Sequence, residues 1–213
     1  MSASEVKQHW EDRYAERDRI WSGRVNAQLA RIAAPLPTGR ALDLGCGEGG
    51  DSLWLAEHGW QVLGVDISET ALGRAAAEAE ARGLTGRVRF TQIDLSEDFP
   101  EGEFDLVSAQ FLQSFVHLDR DRIFAAAAEA VAPGGLLVIV DHGAAPPWAP
   151  PQVHDHRFPA VEEVFASLGL DESRWEGVCV GTEERDAVGP DGQAGVLLDN
   201  VIVVRRLNVG AGG

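Results

Sequence analysis

Short apolar segments alternate with helical segments through the middle of the chain, and this alternation constrains the fold more than any other feature. The five apolar segments that predict strands lie at 40–44, 61–65, 88–93, 104–109 and 136–141. Segments with helical spacing or helix-capping residues separate most of them. Strands that are separated by helices predict a parallel sheet with helices on both faces.

Two further strands are predicted near the C-terminus. They lie at 175–181 and 200–206 and are joined by a long loop that contains Pro190-Asp191-Gly192. Two strands in succession predict a final antiparallel hairpin. The expected fold class is therefore α/β, a Rossmann-like doubly wound sheet of seven strands, mostly parallel with a terminal antiparallel hairpin.

Capping and turn residues mark the ends of several predicted elements. Two helices are expected before Pro35, and Ser68 is expected to cap an Ala-rich helix that stops at Gly83. Asp119 is expected to cap a later helix, and Pro133-Gly134-Gly135 is expected to turn the chain into the fifth strand. These signals agree with the strand assignment.

A glycine-rich loop follows the first predicted strand. Residues 41–50 read ALDLGCGEGG, which places Gly45, Gly47 and Gly50 in a G-x-G-x-x-G pattern between a strand and a helix. By itself this pattern is weak, and it is typical of dinucleotide-binding folds. In open parallel sheets, ligands bind beyond the carboxyl ends of the strands. The loop therefore marks the expected ligand site.

The charges beside this loop distinguish between two kinds of ligand. A dinucleotide presents its pyrophosphate to the loop and to the next helix N-terminus, where Asp43 and Glu48 would place like charge close to it. S-adenosylmethionine has no phosphate and carries an ammonium and a sulfonium group. An acidic residue favours such cations and accepts their hydrogen bonds. The loop therefore favours S-adenosylmethionine.

Polar residues follow the next three strands at the same edge of the expected sheet. Asp66, about 20 residues beyond the loop, is expected to accept both ribose hydroxyls of a nucleoside. Ile67 is expected to pack on the adenine, Asp94 to accept from its amino group, and Gln110 to face the same crevice. Each aspartate alone could equally be a turn or cap residue. Their order at three strand ends favours a ligand site.

The chain resembles the class I S-adenosylmethionine-dependent methyltransferases. The stretches that carry the resemblance are 42–47 (LDLGCG), 65–68 (VDIS), 94–95 (DL), 104–107 (FDLV) and 133–135 (PGG). The resemblance implies that Asp43, Gly45 and Gly47 surround the methionine end of the cofactor. It also implies that Asp66 binds the ribose and that Asp94 with Leu95 contacts the adenine. Cys46 lies within the same cofactor loop, with no adjacent base to mark it as a nucleophile.

A second, looser resemblance concerns the segment WSGRVN at residues 21–26. It is similar to the small bacterial members of this class, the thiopurine and tellurite-resistance methyltransferases. This implies that Trp21 covers the cofactor and that Arg24 meets its carboxylate. The alternative is that Trp21 anchors the core and Arg24 is a solvated surface charge.

The resemblance implies one methyltransferase domain over residues 1–213. Within it, helices at 1–37 are expected to cover the cofactor site, 38–207 to form the Rossmann-like core, and 208–213 to be a disordered tail.

Candidate acceptor-binding residues follow strands four and five. They are Phe111, Ser114, His117, His142, Trp148 and His154. Methyl transfer is an in-line displacement that depends mainly on alignment, and a base is needed only for a protonated acceptor. His117 and His142 are the candidate bases. The proline-rich segment 143–158 is either a lid or a stiff connector. No metal is expected, because His154 and His156 lack a third ligand.

Charge and cysteine content limit the partners and the location. The 213 residues carry a formal net charge of −16, which disfavours a nucleic-acid backbone and an anionic membrane. No apolar run reaches the roughly 18 residues that a membrane span requires. Cys46 and Cys179 form neither a disulfide scaffold nor a zinc motif, and the N-terminus does not resemble a signal peptide. We therefore expect a cytoplasmic protein.

Three functions remain open at this stage. The first is transfer of a methyl group from S-adenosylmethionine to a small-molecule acceptor. The second is a nicotinamide-dependent oxidoreductase, against which Asp43, the Pro133-Gly134-Gly135 turn and the final hairpin argue. The third is a non-catalytic S-adenosylmethionine-binding module. Composition and pattern indicate no oligomeric state.

Overall fold

The computed structural model describes residues 3–114 and 116–208. Its strands are β1 Arg40–Leu44, β2 Gln61–Asp66, β3 Val88–Gln92, β4 Phe104–Gln110, β5 Val131–His142, β6 Trp175–Val188 and β7 Ala194–Arg206. They form one sheet in the order β3-β2-β1-β4-β5-β7-β6. Strands β1 to β5 run parallel, and β7 pairs antiparallel with both β5 and β6. This confirms the predicted fold class.

Helices cover both faces of this sheet. They are α1 Ala3–Ala15, α2 Ala27–Ala33, α3 Gly50–Glu57, α4 Glu69–Ala81, α5 Arg120–Glu129, α6 Pro151–His154 and α7 Val161–Ser167. Leu29 of α2 and Leu53 of α3 belong to one buried apolar cluster, and Ile123 of α5 and Val161 of α7 belong to another. Burial of these two clusters provides the main stabilisation. No helix in the described part of the chain is both long and apolar enough to cross a bilayer.

The capping residues lie where the sequence predicts them. The Ser68 hydroxyl accepts a hydrogen bond from the Ala71 amide at 3.1 Å, and the Asp119 carboxylate accepts one from the Arg122 amide at 3.2 Å. Each satisfies a backbone donor that the first turn of a helix leaves free. Gly83 follows α4 with a φ of +69°, the left-handed conformation typical of a helix stop.

The C-terminal hairpin is longer than the sequence predicts. Strands β6 and β7 continue to a short turn, where the Gly189 amide donates to the Gln193 carbonyl at 2.7 Å. The predicted long loop around Pro190-Asp191-Gly192 is therefore wrong. Strand β6 lies at the edge of the sheet and alternates between exposed and half-buried residues. Its charged run from Glu183 to Asp186 gives no apolar signal, because an edge strand needs only a half-buried face.

Strand β5 also begins earlier than predicted. It pairs Val131 with Phe104, and its register then shifts so that Leu136 pairs with Leu106. The Pro133-Gly134-Gly135 stretch therefore lies inside the strand as an irregularity, where a turn before the strand was expected. The short helix α6 was not predicted at all. The predicted tail from residue 209 onward lies outside the described residues.

Candidate active site

A cavity of about 620 Å³ lies at the carboxyl ends of the parallel strands. Ligand sites in proteins commonly have volumes of about 300–1,000 Å³. The wall is built from α1, the segment 21–27, the glycine loop, the ends of β2 and β4, and part of β6. Most of the predicted cofactor residues line it; they are Trp21, Arg24, Gly45, Cys46, Gly47, Asp66, Ile67, Asp94, Leu95 and Gln110.

The glycine loop keeps this end of the cavity open. Gly45 has a φ of +67° and Gly47 a φ of +52°, in the left-handed region that favours glycine. A Cβ atom on Gly47 would lie 2.8 Å from the Tyr14 hydroxyl oxygen, and one on Gly45 would lie 2.6 Å from the Leu112 Cδ1 atom. A side chain at either position would therefore clash with the wall. The loop can present only its backbone to a ligand.

Asp43 lies behind the loop and does not line the cavity. Its side chain is 2% exposed, and its carboxylate accepts a hydrogen bond of 2.5 Å from the Ser52 hydroxyl. Burial, with the nearby charge of Asp51, raises the pKa of Asp43 to about 8. The sequence predicts direct contact between Asp43 and an ammonium group, whereas the structure places Asp43 outside the residues that line the cavity.

Asp66, at the end of β2, forms hydrogen bonds with both the glycine loop and the residue that caps α4. One carboxylate oxygen accepts from the Gly47 amide and the other from the Ser68 amide, both at 2.9 Å. Each oxygen has a second lone pair, so the side chain can still accept from a ligand. Burial raises the pKa of Asp66 above its ordinary value, and backbone hydrogen bonds oppose this shift. Its position in the wall suits the predicted contact with ribose hydroxyls.

Gln110 presents an unsatisfied acceptor at the end of β4. Its Nε2 atom donates to the Ser108 hydroxyl at 2.9 Å, whereas its buried Oε1 atom has no hydrogen-bond partner among the described residues. A buried acceptor without a partner costs free energy. Because Gln110 lines the cavity, a donor on a bound ligand would complete its hydrogen bonding.

Glu48 fastens the N-terminal segment to the glycine loop. Its buried carboxylate accepts from the amides of Ile20 and Trp21, at 3.1 and 2.9 Å, and pairs with Arg74 at 2.8 Å. The Trp21 indole in turn donates to the Tyr14 hydroxyl at 3.1 Å. The sequence predicts only a local negative charge at Glu48, and this structural role was not predicted. Its place in the glycine loop, directly after Gly47, is the sequence feature from which a role at the site could have been predicted.

Asp51 is a second acidic residue of the wall that the sequence analysis missed. It lies in the first turn of α3, lines the cavity, and accepts a hydrogen bond of 2.6 Å from the Asn26 amide. Burial raises the pKa of Asp51 to about 6. An acidic residue in the first helical turn after a glycine loop was a signal in the sequence.

Trp21 and Arg24 line the cavity from the segment between α1 and α2. Trp21 is 51% exposed, which excludes the alternative that it anchors the core. The side chain of Arg24 is also exposed. Both side chains are therefore available to a ligand, as the predicted roles require.

The predicted acceptor residues divide into two groups. Phe111 and Ser114 line the cavity, together with Leu112 and Gln113. His142 lies behind this wall, with its ring stacked on Phe111 at a centroid distance of 4.2 Å. Burial lowers the pKa of His142, and the charge of Asp199 opposes this shift. The His142 ring is therefore neutral near pH 7.

The other predicted acceptor residues lie away from the cavity wall. His117 is exposed, and the His154 Nε2 atom lies 3.2 Å from the Ala149 carbonyl. Trp148 packs on the end of the C-terminal hairpin, where a Cβ atom on Gly189 would lie 2.7 Å from its ring. The segment 143–158 thus contacts the hairpin. Within residues 3–114 and 116–208, no group of three His, Cys, Asp or Glu side chains could hold a metal ion.

Comparison with known proteins identifies the class of this fold and its site. Residues 41–135 match the family model of a methyltransferase domain. The chain is 33% identical over 169 residues to the 27-O-demethylrifamycin SV methyltransferase of Amycolatopsis mediterranei (strain S699), covering 77% of this chain and 61% of that protein. It is 38% identical over 128 residues to the demethylmenaquinone methyltransferase of Thermus thermophilus, covering 58% and 54%. Residues 41–135 are therefore a methyltransferase domain, similar to those of class I S-adenosylmethionine-dependent methyltransferases.

Solved structures agree with this assignment at the level of fold. TehB from Haemophilus influenzae superposes with a TM-score of 0.67 at 19% identity, covering 92% of this chain and 66% of that one. The magnesium protoporphyrin IX methyltransferase of Synechocystis PCC 6803 with bound S-adenosylmethionine gives a TM-score of 0.66 at 19% identity, covering 96% of each chain. The domain match and the relatives, together with this shared fold, confirm the predicted family resemblance.

The chain spans less than two thirds of the length of the curated relatives above. It matches as little as 15% of the ribosomal RNA small subunit methyltransferase C of Alcanivorax borkumensis, where the identity is 48% over 50 residues. The names of relatives therefore do not assign an acceptor.

The residues of the cavity wall suit S-adenosylmethionine. The glycine loop leaves space that a Cβ atom would fill, and no donor in the described part of the chain reaches the Oε1 atom of Gln110. The carboxylates of Asp51 and Asp66 lie in the wall near the loop, where they favour a cation and disfavour a pyrophosphate. The family cofactor is thus compatible with the site in shape, hydrogen bonding and charge.

Proposed function

We propose that this chain binds S-adenosylmethionine in the cavity and catalyses transfer of its methyl group to a small-molecule acceptor. The observation that carries the proposal is the cavity wall at the carboxyl end of β1. There the glycine loop meets the carboxylates of Asp51 and Asp66. This combination suits a cationic ligand without phosphate groups.

Each part of the wall has a proposed role toward the cofactor. Asp66 accepts the ribose hydroxyls, and the loop from Gly45 to Gly47, which includes Cys46, borders the methionine end. Ile67, Asp94 and Leu95 surround the adenine. Trp21 covers the ligand and Arg24 binds its carboxylate. The exposure of both side chains in the wall supports these last two roles.

When bound, S-adenosylmethionine supplies a methyl group on a sulfonium centre, whose S–C electron pair stays on sulfur as a lone pair of the acceptor forms the new bond. The chain contributes alignment, which is the main requirement of an in-line displacement. Phe111, Gln113 and Ser114 present the acceptor side of the wall. His117 and His142 do not line the cavity. We therefore favour an acceptor atom that needs no protein base.

The proposed acceptor is a small molecule and not a nucleic acid. The net charge of −16 disfavours binding of a nucleic-acid backbone. We further propose that residues 1–37 cover the cofactor site of a single domain, which the hydrogen bonds of Glu48 to Ile20 and Trp21 support. A cytoplasmic location stays a prediction from the sequence, and it rests on the lack of a disulfide framework.

Titration calorimetry with S-adenosylmethionine, S-adenosylhomocysteine and NADH in parallel tests the proposed cofactor. We expect both sulfur ligands to bind in the micromolar range and NADH to give no heat of binding. Binding of NADH alone would overturn the proposal in favour of the oxidoreductase alternative. The absence of a heat of binding with all three ligands would also contradict it. The non-catalytic alternative requires a measurement of turnover.

A further inference from the structure

Part of the cavity wall comes from the C-terminal hairpin, far along the chain from the glycine loop. Arg185 and Asp186 of β6 line the same cavity as the cofactor residues. The Arg185 side chain is 27% exposed, and its guanidinium carbon lies 5.9 Å from the centroid of the Phe111 ring. Arg185 therefore brings a cation to the acceptor side of the wall, beside Phe111.

Asp199 holds this arginine in place. The Nε atom of Arg185 donates to the carboxylate of Asp199, which is fully buried in β7. Asp199 is also the cross-strand neighbour of His142, whose ring supports Phe111. A buried carboxylate fixes the guanidinium through one nitrogen, so less entropy is lost when a ligand binds to the rest of the group.

The terminal nitrogens of Arg185 remain for a ligand. Within the described ranges, Nε is the nitrogen of Arg185 that has a hydrogen-bond partner. The guanidinium presents its donors in a planar fork that matches a carboxylate through two parallel hydrogen bonds. Because Asp199 already neutralises much of the charge, the remaining attraction depends on these directed hydrogen bonds more than on net charge.

Two arginines, Arg24 and Arg185, line the cavity from different elements. S-adenosylmethionine carries one carboxylate, which the proposed function assigns to Arg24. Arg185 is then left without an anionic partner from the cofactor. Asp186 also belongs to the wall, but successive side chains of a strand point to opposite faces and Asp186 is exposed. It therefore does not compete with a ligand for the fork of Arg185.

Arg185 shares the wall with apolar side chains as well as with the polar Gln113 and Ser114. Phe111 lies beside it, and Leu112 and Leu118 contribute to the same wall. We propose that Arg185 selects an acceptor that has a planar apolar body and a carboxylate group, which the guanidinium binds through two hydrogen bonds. This inference rests on the proposed function, because it requires the cofactor to occupy the rest of the cavity.

The test compares acids with their amides in the protein saturated with S-adenosylhomocysteine. The probes are benzoate, 2-naphthoate and anthracene-2-carboxylate, each beside its uncharged carboxamide, titrated by calorimetry. We expect at least one acid to bind about tenfold more tightly than its amide, a difference of about 1.4 kcal/mol. Arg185→Met should abolish this preference, and Arg185→Lys should keep only part of it.

Arg31→Met is the matched control, because Arg31 pairs with Glu183 on the same strand and does not line the cavity. It should keep the full preference for the acid. Arg185→Met leaves the buried charge of Asp199 unpaired, which is destabilising. The double variant Arg185→Met, Asp199→Asn removes that charge, and unchanged affinity for S-adenosylhomocysteine reports a folded site.

The outcomes separate the two proposals. If the wild-type protein fails to bind S-adenosylhomocysteine, the proposed function fails and the inference falls with it. If the cofactor product binds but no acid is preferred over its amide, the inference alone is overturned. Persistence of the preference in the folded Arg185 variants would overturn it as well.

Discussion

At the scale of single residues, Asp66 connects the glycine loop, the start of α4 and the cavity. It accepts from the amides of Gly47 and Ser68 and faces the cavity. We expect Asp66→Ala to weaken binding of S-adenosylmethionine by about 1.5–3 kcal/mol, because charged hydrogen bonds contribute about that much. Titration calorimetry measures the change. Asp12→Ala, at an exposed position that accepts from Gln8, should bind as the wild type does.

An unchanged affinity in a folded Asp66→Ala protein would remove this residue from the cofactor site. Asp66→Asn separates two effects of the substitution. It keeps one acceptor oxygen for the loop amides and loses the charge, so a weaker effect than that of alanine is expected.

The protonation of Asp51 makes cofactor binding depend on pH. Burial raises the pKa of Asp51 to about 6, so the carboxyl is largely protonated below that pH. A cationic ligand favours the ionised form, so affinity for S-adenosylmethionine should rise with pH through 6 and then flatten. The slope below pH 6 is at most about tenfold per unit. Calorimetric titrations between pH 5 and 7.5 measure it.

Asp51→Asn provides the control for this pH dependence, because it cannot titrate. Its affinity for S-adenosylmethionine should change less between pH 5 and 7 than that of the wild type. Equal slopes in the two proteins would contradict a role for Asp51 next to the cation.

The sequence predicts which strand ends carry the site, but it does not predict how deeply each side chain at those ends is buried. Asp66, Asp94 and Gln110 lie in the wall as expected, because the carboxyl ends of parallel strands meet at one edge. Asp43 occupies an equivalent position in the sequence, yet α3 covers it through Ser52. Arg185 was missed because its contribution depends on the length of a distant hairpin.

At the scale of elements, the buried carboxylate of Glu48 anchors the segment between α1 and α2 near Ile20 and Trp21. Glu48 accepts from Ile20 and Trp21 and pairs with Arg74. We expect Glu48→Ala to release this segment, so that trypsin cleaves after Arg17 and Arg19 faster than in the wild type. Losing a charged hydrogen-bond partner costs about 1.5–3 kcal/mol, which permits cleavage up to about a hundredfold faster.

Glu69→Ala is the matched control for the Glu48 prediction. Glu69 forms an ion pair with Lys7 at 2.8 Å, but both side chains are exposed, and exposed pairs contribute little. Its cleavage rate should match that of the wild type. A wild-type rate in Glu48→Ala would show that Glu48 does not hold the segment.

Elements with a clear pattern of apolar residues were predicted well, and elements without such a pattern were not. Strand β1 is buried over 41–44, and its apolar run marks it in the sequence. Strand β6 pairs on one edge only and carries the charged run from Glu183 to Asp186. Its extension depends on pairing with β7, a contact that the local sequence does not reveal.

At the scale of the whole molecule, the buried Asp43 links stability to pH. Burial raises the pKa of Asp43 to about 8, above the ordinary aspartate value of 3.8. Between these values the folded state holds a proton that the unfolded state releases, so the free energy of unfolding falls as pH rises. The slope from this group is at most about 1.4 kcal/mol per pH unit.

Urea unfolding of the ligand-free protein at pH 6, 7 and 8 measures this slope. Asp43→Asn has no titrating group at the position, so the decrease should be smaller in the variant. A variant whose stability falls with pH as steeply as that of the wild type would show that Asp43 is not the group responsible.

The central claim is methyl transfer to a small molecule, and labelled turnover tests it most directly. S-adenosylmethionine with a deuterated methyl group is incubated with the protein and a panel of phenols, thiols, amines and carboxylic acids. Mass spectrometry then measures S-adenosylhomocysteine and labelled product. The proposal predicts equal molar amounts of both with at least one acceptor, and less of both with Asp66→Ala. Binding of the cofactor without product from any acceptor class, and with no S-adenosylhomocysteine above the protein-free rate, would contradict it and leave a non-catalytic binding module.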